Sequence, residues 1–512
     1  MHAGARMVFS NDIMRRLPHL ASRRNLLQAV KSKVVASQSV ILHLHSIATS
    51  PSPYPNLLPP SSLGLSQLVK PAGMESARQL PEVSFALQTQ TDLVADERIA
   101  PLERAAEVFE EIMAGGEEHR AVLALLADAL NDAGRHQDAA NSAQKLLVNV
   151  IESPTLSRED AFGIYLALSK AQFHGGQLDE AAETANFALS VASEVDDSSL
   201  AALRQGIALN CAAICKFASI SYADDATADD RRAVDVLKES QEMIRMGNSL
   251  LFLNENAKSS TFSSSLAAES TLLLASAASS INEGVAEILH SSLHSRLMGV
   301  NIERPPDAAI KAWRDGISVI RRIHPASGTI PLASCIMARL HSNVAASLLQ
   351  PDGGLQDKRV RSEQKIDENS LTAASESART ALKLCDEIID AAMNTDQAEA
   401  TRRSLRSLSG RSLRLVADCY ACAGSAVTAE GLYQSSLASL ELGNPLSSIE
   451  RRLVYKSYSS LCSKWDKRTG DADKMEAKSG EVEAEMSESW KCKPAILAGV
   501  WMFSQGDFML PY

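Results

Sequence analysis

The sequence predicts an all-α protein in which antiparallel helix hairpins stack into a solenoid. Apolar residues recur at spacings of three and four from about Ala100 to about Met486, as they do on one face of a helix. Aromatic residues make up only 4% of the chain, and no sustained alternating run rich in Val, Ile, Thr and aromatics is present. One spacing of glycine and alanine also recurs in three separate stretches. A chain of 512 residues can grow by adding such units without enlarging a single core.

Residues 1–75 have the composition of an organelle transit peptide. Residues 1–74 hold eight basic side chains and one acid, Asp12, and the Arg-rich segment 14–27 is amphipathic. A positive, amphipathic segment that is poor in acids is typical of transit peptides. We therefore expect a leader that directs the protein to the mitochondrial matrix. The alternatives are a plastid signal, a disordered tail on a cytoplasmic protein, or an upstream extension with true initiation at Met74.

Three stretches share one pattern of helix, glycine and alanine. In each, an apolar helix face ends at a glycine and an alanine follows five residues later, as in Gly134 with Ala139, Gly176 with Ala181, and Gly424 with Ala429. Glycine adopts the left-handed conformation that ends a helix, and the small alanine lets a second helix cross closely. Each hairpin leaves an apolar face that only the next hairpin can cover, so the units must stack.

These stretches resemble the tetratricopeptide-repeat (TPR) family, most closely where Tyr420, Tyr433 and Pro445 match its aromatic and closing proline positions. The clearest repeats span 120–154, 162–197 and 410–445. The resemblance implies a right-handed superhelical solenoid whose first helices line a concave groove. It also implies a non-catalytic scaffold or adapter that binds a partner peptide or subunit there, for example as an organellar assembly factor.

The resemblance further implies which side chains face that groove. Where the repeats align, the polar groove positions are Asp128, Asn131, Lys170, His174, Arg411, Arg414 and Asp418. Such groups form charge-assisted hydrogen bonds to a peptide backbone or its carboxylates, although an ordinary solvated helix face is the alternative for each. Chaperone adapters of this family clamp an acidic C-terminus with a Lys and an Asn. Ala124 and Asp128 stand at those positions here, so a chaperone carboxylate clamp is not expected.

Between about 200 and 400 the glycine and alanine markers leave the family spacing, and the solenoid is expected to be divergent there. Helices are predicted over 200–222, 231–247, 262–298, 307–323, 331–349 and 370–393. We expect a break near Gly284, a cap at Asn369 or Ser370, and a mobile loop over the charged, Gly-rich stretch 351–368. Two further helices, at 447–466 and 472–488, would end a solenoid that spans 76–490.

Residues 491–512 form an apolar aromatic tail. The last 23 residues hold five of the 23 aromatic side chains of the chain. The tail is too short to span a bilayer and too apolar to remain in water. We expect it to dock on the solenoid, on a partner, or at a membrane surface, with a mis-assigned terminal exon as the alternative. No transmembrane span is expected elsewhere.

Charge and motifs argue against two other classes of function. The net charge is −11 and the leader contributes +7, so the remainder carries −18, which opposes binding to phosphate backbones. We therefore expect no nucleic-acid partner, although an organellar RNA-binding helical-repeat protein stays the first alternative. The chain has no phosphate loop, dinucleotide fingerprint or nucleophile elbow, so we expect no enzyme activity and no cofactor.

One helical stretch carries three candidate metal ligands, Glu287, His290 and His294. Their spacing places all three on one helix face, and a helical metalloenzyme is the second alternative function. A carboxylate-bridged centre would need a second copy of the motif, which we do not find. A solvated helix face is therefore favoured, and no metal is expected. The Cys419 and Cys422 pair lies inside a predicted repeat helix and is expected to pack rather than to bind zinc.

Overall fold

The computed structural model describes most of the chain after residue 62. The described residues are 63–67, 71–80, 82–84, 95–151, 158–194, 198–220, 222, 227–256, 266–300, 302–323, 330–353, 366–392, 398–440, 445–491 and 493–503. The chain divides into two units, Met1–Pro55 and Asn56–Tyr512, and every described residue belongs to the second. Residues 1–62, on which the transit-peptide prediction depends, lie outside the described residues.

The described part of the chain is helical and contains no strand, which confirms the predicted all-α class. The α-helices are α1 (Pro71–Arg78), α2 (Ala95–Met113), α3 (Glu117–Asp132), α4 (His136–Ile151), α5 (Arg158–His174), α6 (Leu178–Ser193), α7 (Ser198–Ser219), α8 (Thr227–Asn256), α9 (Leu266–Met298), α10 (Asp307–Ile320), α11 (Ile330–Leu349), α12 (Glu368–Ala392), α13 (Ala398–Cys422), α14 (Ala426–Leu440), α15 (Pro445–Ser463) and α16 (Thr469–Glu485). Short 3-10 helices span Leu65–Gln67, Asp466–Arg468 and Ala495–Gly499.

The helices stack in chain order as a solenoid. From α2 onward each helix packs against the next one, up to α16. In addition, every second helix from α5 onward contacts the next one in that series: α5 contacts α7, α7 contacts α9, α9 contacts α11, α11 contacts α13, and α13 contacts α15. We call this row of first helices, α5 to α15, the inner layer. Because each first helix touches the first helix of the next hairpin, the apolar face left by one hairpin is covered by its neighbour.

The hairpin turns have the geometry that their glycine spacing predicts. Gly134, Gly176 and Gly424 have φ angles of 78°, 81° and 80°, in the left-handed region that disfavours other residues. In each turn the residue after the glycine donates its N–H to a carbonyl five residues earlier, as Arg135 does to Leu130 at 2.9 Å. This is the helix-ending bond of a Schellman motif. The alanines five residues beyond these glycines are all fully buried.

Gly284 does not break a helix, contrary to the prediction from sequence. Helix α9 is continuous from Leu266 to Met298, and Gly284 lies where the indole of Trp313 from α10 packs onto it. A Cβ at this position would overlap the indole ring, whose Nε1–H donates to the carbonyl of Ile281 at 3.1 Å. The glycine therefore allows close helix packing, and the tryptophan contact compensates its low helix propensity.

In the divergent middle, most helices begin and end within a few residues of the predicted positions. Helix α8 is the largest exception, because it extends well beyond the predicted 231–247 on both sides. The predicted cap of α12 at Asn369 or Ser370 is wrong. Asp367 accepts hydrogen bonds from the Ser370 N–H at 2.9 Å and the Ser370 hydroxyl at 2.6 Å, the pattern of a capping side chain. Most of the loop predicted at 351–368 lies outside the described residues.

The end of the predicted leader belongs to the folded body. Leu63 and Leu65 are fully buried, and α1 and the 3-10 helix Leu65–Gln67 both pack against α3. Their apolar side chains join a core cluster with α2 to α5. The predicted leader, 1–75, therefore overlaps the folded body, because Leu63, Leu65 and Met74 are buried against the outer end of the helix stack.

Two described helix stretches are long and apolar enough to cross a membrane by length and composition alone. They are Ser270–Met298 in α9 and Pro331–Leu349 in α11, and 89% and 67% of their most apolar windows are buried inside the protein. Both helices belong to the middle of the inner layer, where neighbouring helices cover them on several sides. A helix that is apolar nearly all round is expected at such a position in a core.

Substitution of Gly284 tests this close packing. We expect Gly284→Ala to lower stability by about 1–3 kcal/mol, because the added methyl group must displace the Trp313 indole. The matched control is Gly431→Ala in α14, where nothing lies within 4 Å of the new methyl group. That variant should gain about 0.5–1 kcal/mol from helix propensity. Urea denaturation measures both changes, and equal stabilities for the two variants would contradict the packing described for α9 and α10.

Candidate functional site

The most distinctive feature of the inner layer is that a segment of the same chain covers it. We call residues 493–503 the C-terminal segment. Its large apolar side chains all belong to the main core cluster: Ile496, Leu497, Val500, Trp501, Met502 and Phe503, each at most 5% exposed. The sequence offered three destinations for the aromatic tail, and the structure places this part of it on the solenoid. Residues 504–512 lie outside the described residues.

Side chains of α9 and α11 bind the backbone of three consecutive residues in this segment. Asn282 of α9 donates to the carbonyl of Trp501 at 3.1 Å and accepts from its N–H at 2.9 Å. In this way one amide side chain satisfies both polar backbone groups of a residue, as a neighbouring strand would.

The two preceding residues are held from α11. Arg339 donates to the carbonyl of Val500 at 2.5 Å, and Asn343 donates to the carbonyl of Gly499 at 3.3 Å. On the segment's other side, Ile496 donates its N–H to the carbonyl of Gly353 at 3.1 Å, in the turn after α11. These hydrogen bonds are all made to backbone groups of the segment, so they do not depend on which side chains it carries.

Two contacts nevertheless depend on side-chain identity. The guanidinium of Arg339 lies over the Trp501 ring, 5.3 Å from its centroid, as in a cation–π contact. At Gly499 there is no room for a side chain, since a Cβ would overlap Asn343 Oδ1 and lie 2.7 Å from Arg411 Nη1. The inner layer therefore favours glycine at position 499 and an aromatic residue two positions later, at 501.

The start of the segment is bound next to α7 and by α15. Lys493 is 8% exposed and donates from Nζ to the carbonyl of Ile220, after α7, at 2.7 Å. Arg452 of α15 donates to the carbonyl of Lys493 at 3.5 Å. Just before it, Trp490 packs edge-on against Phe173 of α5, with ring centroids 5.1 Å apart. The residues after α16 thus return to α5, and the segment contacts residues at α7, α9, α11 and α15.

The three groove residues predicted in the last repeat form one buried ion-pair network. Arg414 donates from Nε to Glu450 at 2.7 Å and from Nη1 to Asp418 at 2.8 Å, and Asp418 accepts from the Tyr433 hydroxyl at 2.7 Å. Arg411 Nε lies 3.2 Å from the other oxygen of Glu450, although the angle is not that of a hydrogen bond. Glu450 of α15, which sequence reasoning missed, therefore holds two arginines of α13.

Burial and charge act differently on these two arginines. Burial lowers the pKa of the Arg411 guanidinium to about 10, and Glu450 only partly opposes that effect. Burial also disfavours the charged form of Arg414, but Glu450 and Asp418 outweigh it and raise the pKa of Arg414 above its ordinary value. A buried pair of this kind fixes geometry more reliably than it adds stability. It holds the α13 side of the inner layer in place next to Gly499.

The groove residues predicted in the second repeat are also buried. Lys170 and His174 of α5 are 2% and 4% exposed, and the His174 ring packs edge-on against His136, with centroids 5.1 Å apart. His136 Nδ1 lies 3.1 Å from Asn131 Oδ1, so Asn131 holds the first residue of α4. Burial lowers the pKa of His136 to about 4 and places the pKa of His174 well below its usual value. Both imidazoles are therefore neutral near pH 7.

Asp128, the remaining predicted groove residue, binds another segment of the same chain. Its carboxylate accepts hydrogen bonds from the N–H groups of Leu65 at 3.1 Å and Ser66 at 2.9 Å, at the start of the 3-10 helix. Burial raises the pKa of Asp128, while these hydrogen bonds act in the opposite direction. All seven predicted positions therefore lie in intramolecular contacts, and their role in partner binding stays a prediction.

Three residues that contact the segment, Asn282, Arg339 and Asn343, were absent from the sequence-based prediction. The family spacing that located groove positions in the outer repeats fails in α9 and α11, so no position could be carried over. The available signal was Asn282 itself, an amide within a long run of Ala, Ser, Leu and Ile in α9. A polar side chain in the interior of an apolar helix needs a hydrogen-bond partner.

The candidate metal ligands on α9 do not come together as a site. Glu287 forms an ion pair with Arg245 of α8 at 2.8 Å, and the rings of His290 and His294 lie 6.4 Å apart. Among the described residues, no group of three His, Cys, Asp or Glu side chains could hold a metal ion. Cys419 is buried whereas Cys422 is exposed, so the two thiols do not share one environment.

Comparisons with known proteins give no functional assignment. No protein-family model and no curated protein matches the chain. The crystal structure of BtubC (BKLC) from P. vanneervenii is 13% identical, with a TM-score of 0.28 over 68% of this chain and 91% of that one. A circular tandem repeat protein with novel repeat topology and enhanced subunit contact surfaces is 15% identical, with a TM-score of 0.21 over 85% and 96%. Likenesses this low carry no argument, so function must be inferred from the side chains.

The buried histidine pair predicts how stability depends on pH. The folded pKa of His136 is about 4, whereas an unfolded histidine titrates near 6.5, so the unfolded chain binds more protons between these values. Stability should therefore fall as pH drops from 6.5 towards 4, by up to about 1.4 kcal/mol per pH unit for this residue. His136→Gln should remove that loss, whereas His294→Gln at an exposed site should not. Urea denaturation at pH 7 and pH 5.5 measures the difference, and identical pH dependence in both variants would contradict this assignment.

Proposed function

We propose that this protein is a non-catalytic scaffold or adapter that binds an extended segment of another protein on its inner layer. One observation carries the proposal. Asn282, Arg339 and Asn343, from the first helices of two consecutive hairpins, hydrogen-bond the backbone of residues 499–501, where the short 3-10 helix of the C-terminal segment ends. Backbone hydrogen bonds with pockets for selected side chains are the usual chemistry of peptide recognition. The TPR resemblance supports the same function, because proteins of that family bind peptides on their first helices.

The chemistry of the inner layer favours an apolar peptide over an acidic one. The cations predicted to attract carboxylates are engaged already, since Arg414 pairs with Glu450 and Asp418, and Arg411 lies against Glu450. The inner layer can still select a peptide through hydrogen bonds to its backbone, through the cation–π contact seen at Trp501, and through the restricted space seen at Gly499. This differs from our expectation of charge-assisted binding to carboxylates. Arg411 and Arg414, which are paired within the protein, are also not available to an RNA backbone.

The cellular setting of this proposal comes from the leader. We place the scaffold in the mitochondrial matrix, as an assembly factor or adapter, on the composition of residues 1–74. While docked, the C-terminal segment buries its apolar side chains and cannot insert them into a membrane surface. No described cluster of side chains favours the metalloenzyme alternative at Glu287, His290 and His294.

Site-specific photo-crosslinking in cells tests the proposal. A benzophenone amino acid in place of Gln350 lies directly after α11, beside Ile496 and Arg411, and removes none of the three side chains that bind the segment. The same residue in place of Arg314 lies at an exposed position of α10. We expect cross-links to another protein from position 350 and none to that protein from position 314. If position 350 gives only intramolecular cross-links to the C-terminal segment, or the same partners as position 314, binding on the inner layer is wrong.

A further inference from the structure

The C-terminal segment occupies the surface to which a partner would bind. If the proposed function is right, residues 493–503 and the partner's segment compete for Asn282, Arg339 and Asn343. Both cannot bind these side chains at once, because each side chain named here already contacts a backbone group of residues 499–501. The contacts of the C-terminal segment therefore also show which groups a competing segment must have.

The fit of the C-terminal segment is incomplete. Asn343 Oδ1 and Arg411 Nη1, which flank Gly499, are buried and have no hydrogen-bond partner among the described residues. Within the described part of the chain, the buried indole N–H groups of Trp490 and Trp501 also have no hydrogen-bond acceptor. Buried polar groups that lack a hydrogen bond weaken a complex. A segment that met these groups better would bind more tightly than the chain's own segment does.

The order of contacts also shows how the segment could leave. Lys493, which contacts Ile220, comes first in the chain. The backbone from Ile496 to Trp501 follows, and it is bound by side chains of the inner layer and by the carbonyl of Gly353. This backbone forms no sheet or long helix of its own. Its only regular element is the five-residue 3-10 helix Ala495–Gly499. A short segment held in this way can detach while α9 and α11 keep their own helical hydrogen bonds.

We propose that residues 493–503 are an exchangeable cover, which is replaced by a partner's extended apolar segment that has glycine two positions before an aromatic residue. This inference rests on the proposed function and specifies its ligand. Glycine is required because a Cβ overlaps Asn343 and Arg411, and the aromatic ring is required by the Arg339 guanidinium. The cover keeps the apolar inner layer out of water until such a partner arrives.

Hydrogen exchange on the unmodified full-length protein tests whether the cover opens. The amides of Ile496, Val500 and Trp501 should exchange at least about 10-fold faster than the core amides of α9 and α11, because local detachment is less costly than unfolding. Exchange as slow as that of the helices would mean that the segment leaves only on global unfolding. That result would overturn the exchange proposal, although cross-links to a partner from position 350 could still be found.

Binding of a labelled peptide tests whether the exposed surface accepts a second segment. The probe is a fluorescent peptide with the sequence of residues 493–503, titrated into full-length protein. A tethered segment competes at an effective concentration in the millimolar range, so wild type should bind the probe weakly. Trp501→Ala and Gly499→Ala each weaken the tethered segment through a different contact and should bind the probe at least about 10-fold more tightly. Circular dichroism and melting of each variant show that it is folded.

The controls separate a specific exchange from other outcomes. A probe with alanine at the glycine position should not bind, and Asn282→Ala added to Trp501→Ala should abolish the gain in affinity. Equal affinity of wild type and both tail variants for the probe would overturn the proposal. So would a stable dimer of the full-length chain that exchanges its own C-terminal segments, because a second copy would then be the occupant. Light scattering at the concentrations used for binding detects that dimer.

Discussion

The structure depends on one constraint, which is that every apolar helix face in the stack must be covered. Each hairpin covers part of the previous one, so the inner layer grows with the chain and its free face grows with it. Helices α9 and α11 are rich in apolar and small residues, and Asn282, Arg339 and Asn343 are the polar side chains through which they bind the C-terminal segment. Exposed to water, this free face would be a large apolar patch. The C-terminal segment removes this patch by adding a tryptophan, a phenylalanine, a methionine and several aliphatic side chains to the core.

The polar groups in this interior have two separate functions. The network of Arg411, Arg414, Asp418 and Glu450 connects α13 to α15, and charges buried in this way are tolerated only when they are paired. Asn282 and Asn343 instead satisfy backbone groups of a segment whose own regular hydrogen bonding is limited to one short 3-10 helix. Both sets solve the same problem, because buried backbone and charged groups need partners. Only the second set is suited to accept a different segment.

The sequence predicted the general fold and the hairpin turns because these depend on local rules. Gly134, Gly176 and Gly424 end helices through their own backbone conformation, and neighbouring residues are sufficient to identify them. Glycine was also expected to end a helix at Gly284, but there it makes room for Trp313, which lies 29 positions later in the chain. The residues next to Gly284 give no sign of that contact. The segment's contacts are more distant still. Asn282 and Trp501 are 219 residues apart, so their pairing could not be read from spacing or periodicity.

A double-mutant cycle between Arg339 and Trp501 tests most directly whether the inner layer holds the C-terminal segment. The free energy of unfolding is measured for wild type, Arg339→Ala, Trp501→Ala and the double variant. If the guanidinium lies over the ring as described, the two substitutions should be coupled by about 0.5–2 kcal/mol, the range for a cation–π contact from exposed to desolvated sites. Effects that add to within about 0.3–0.5 kcal/mol would show that the two side chains do not meet, and would contradict the account of a covered inner layer.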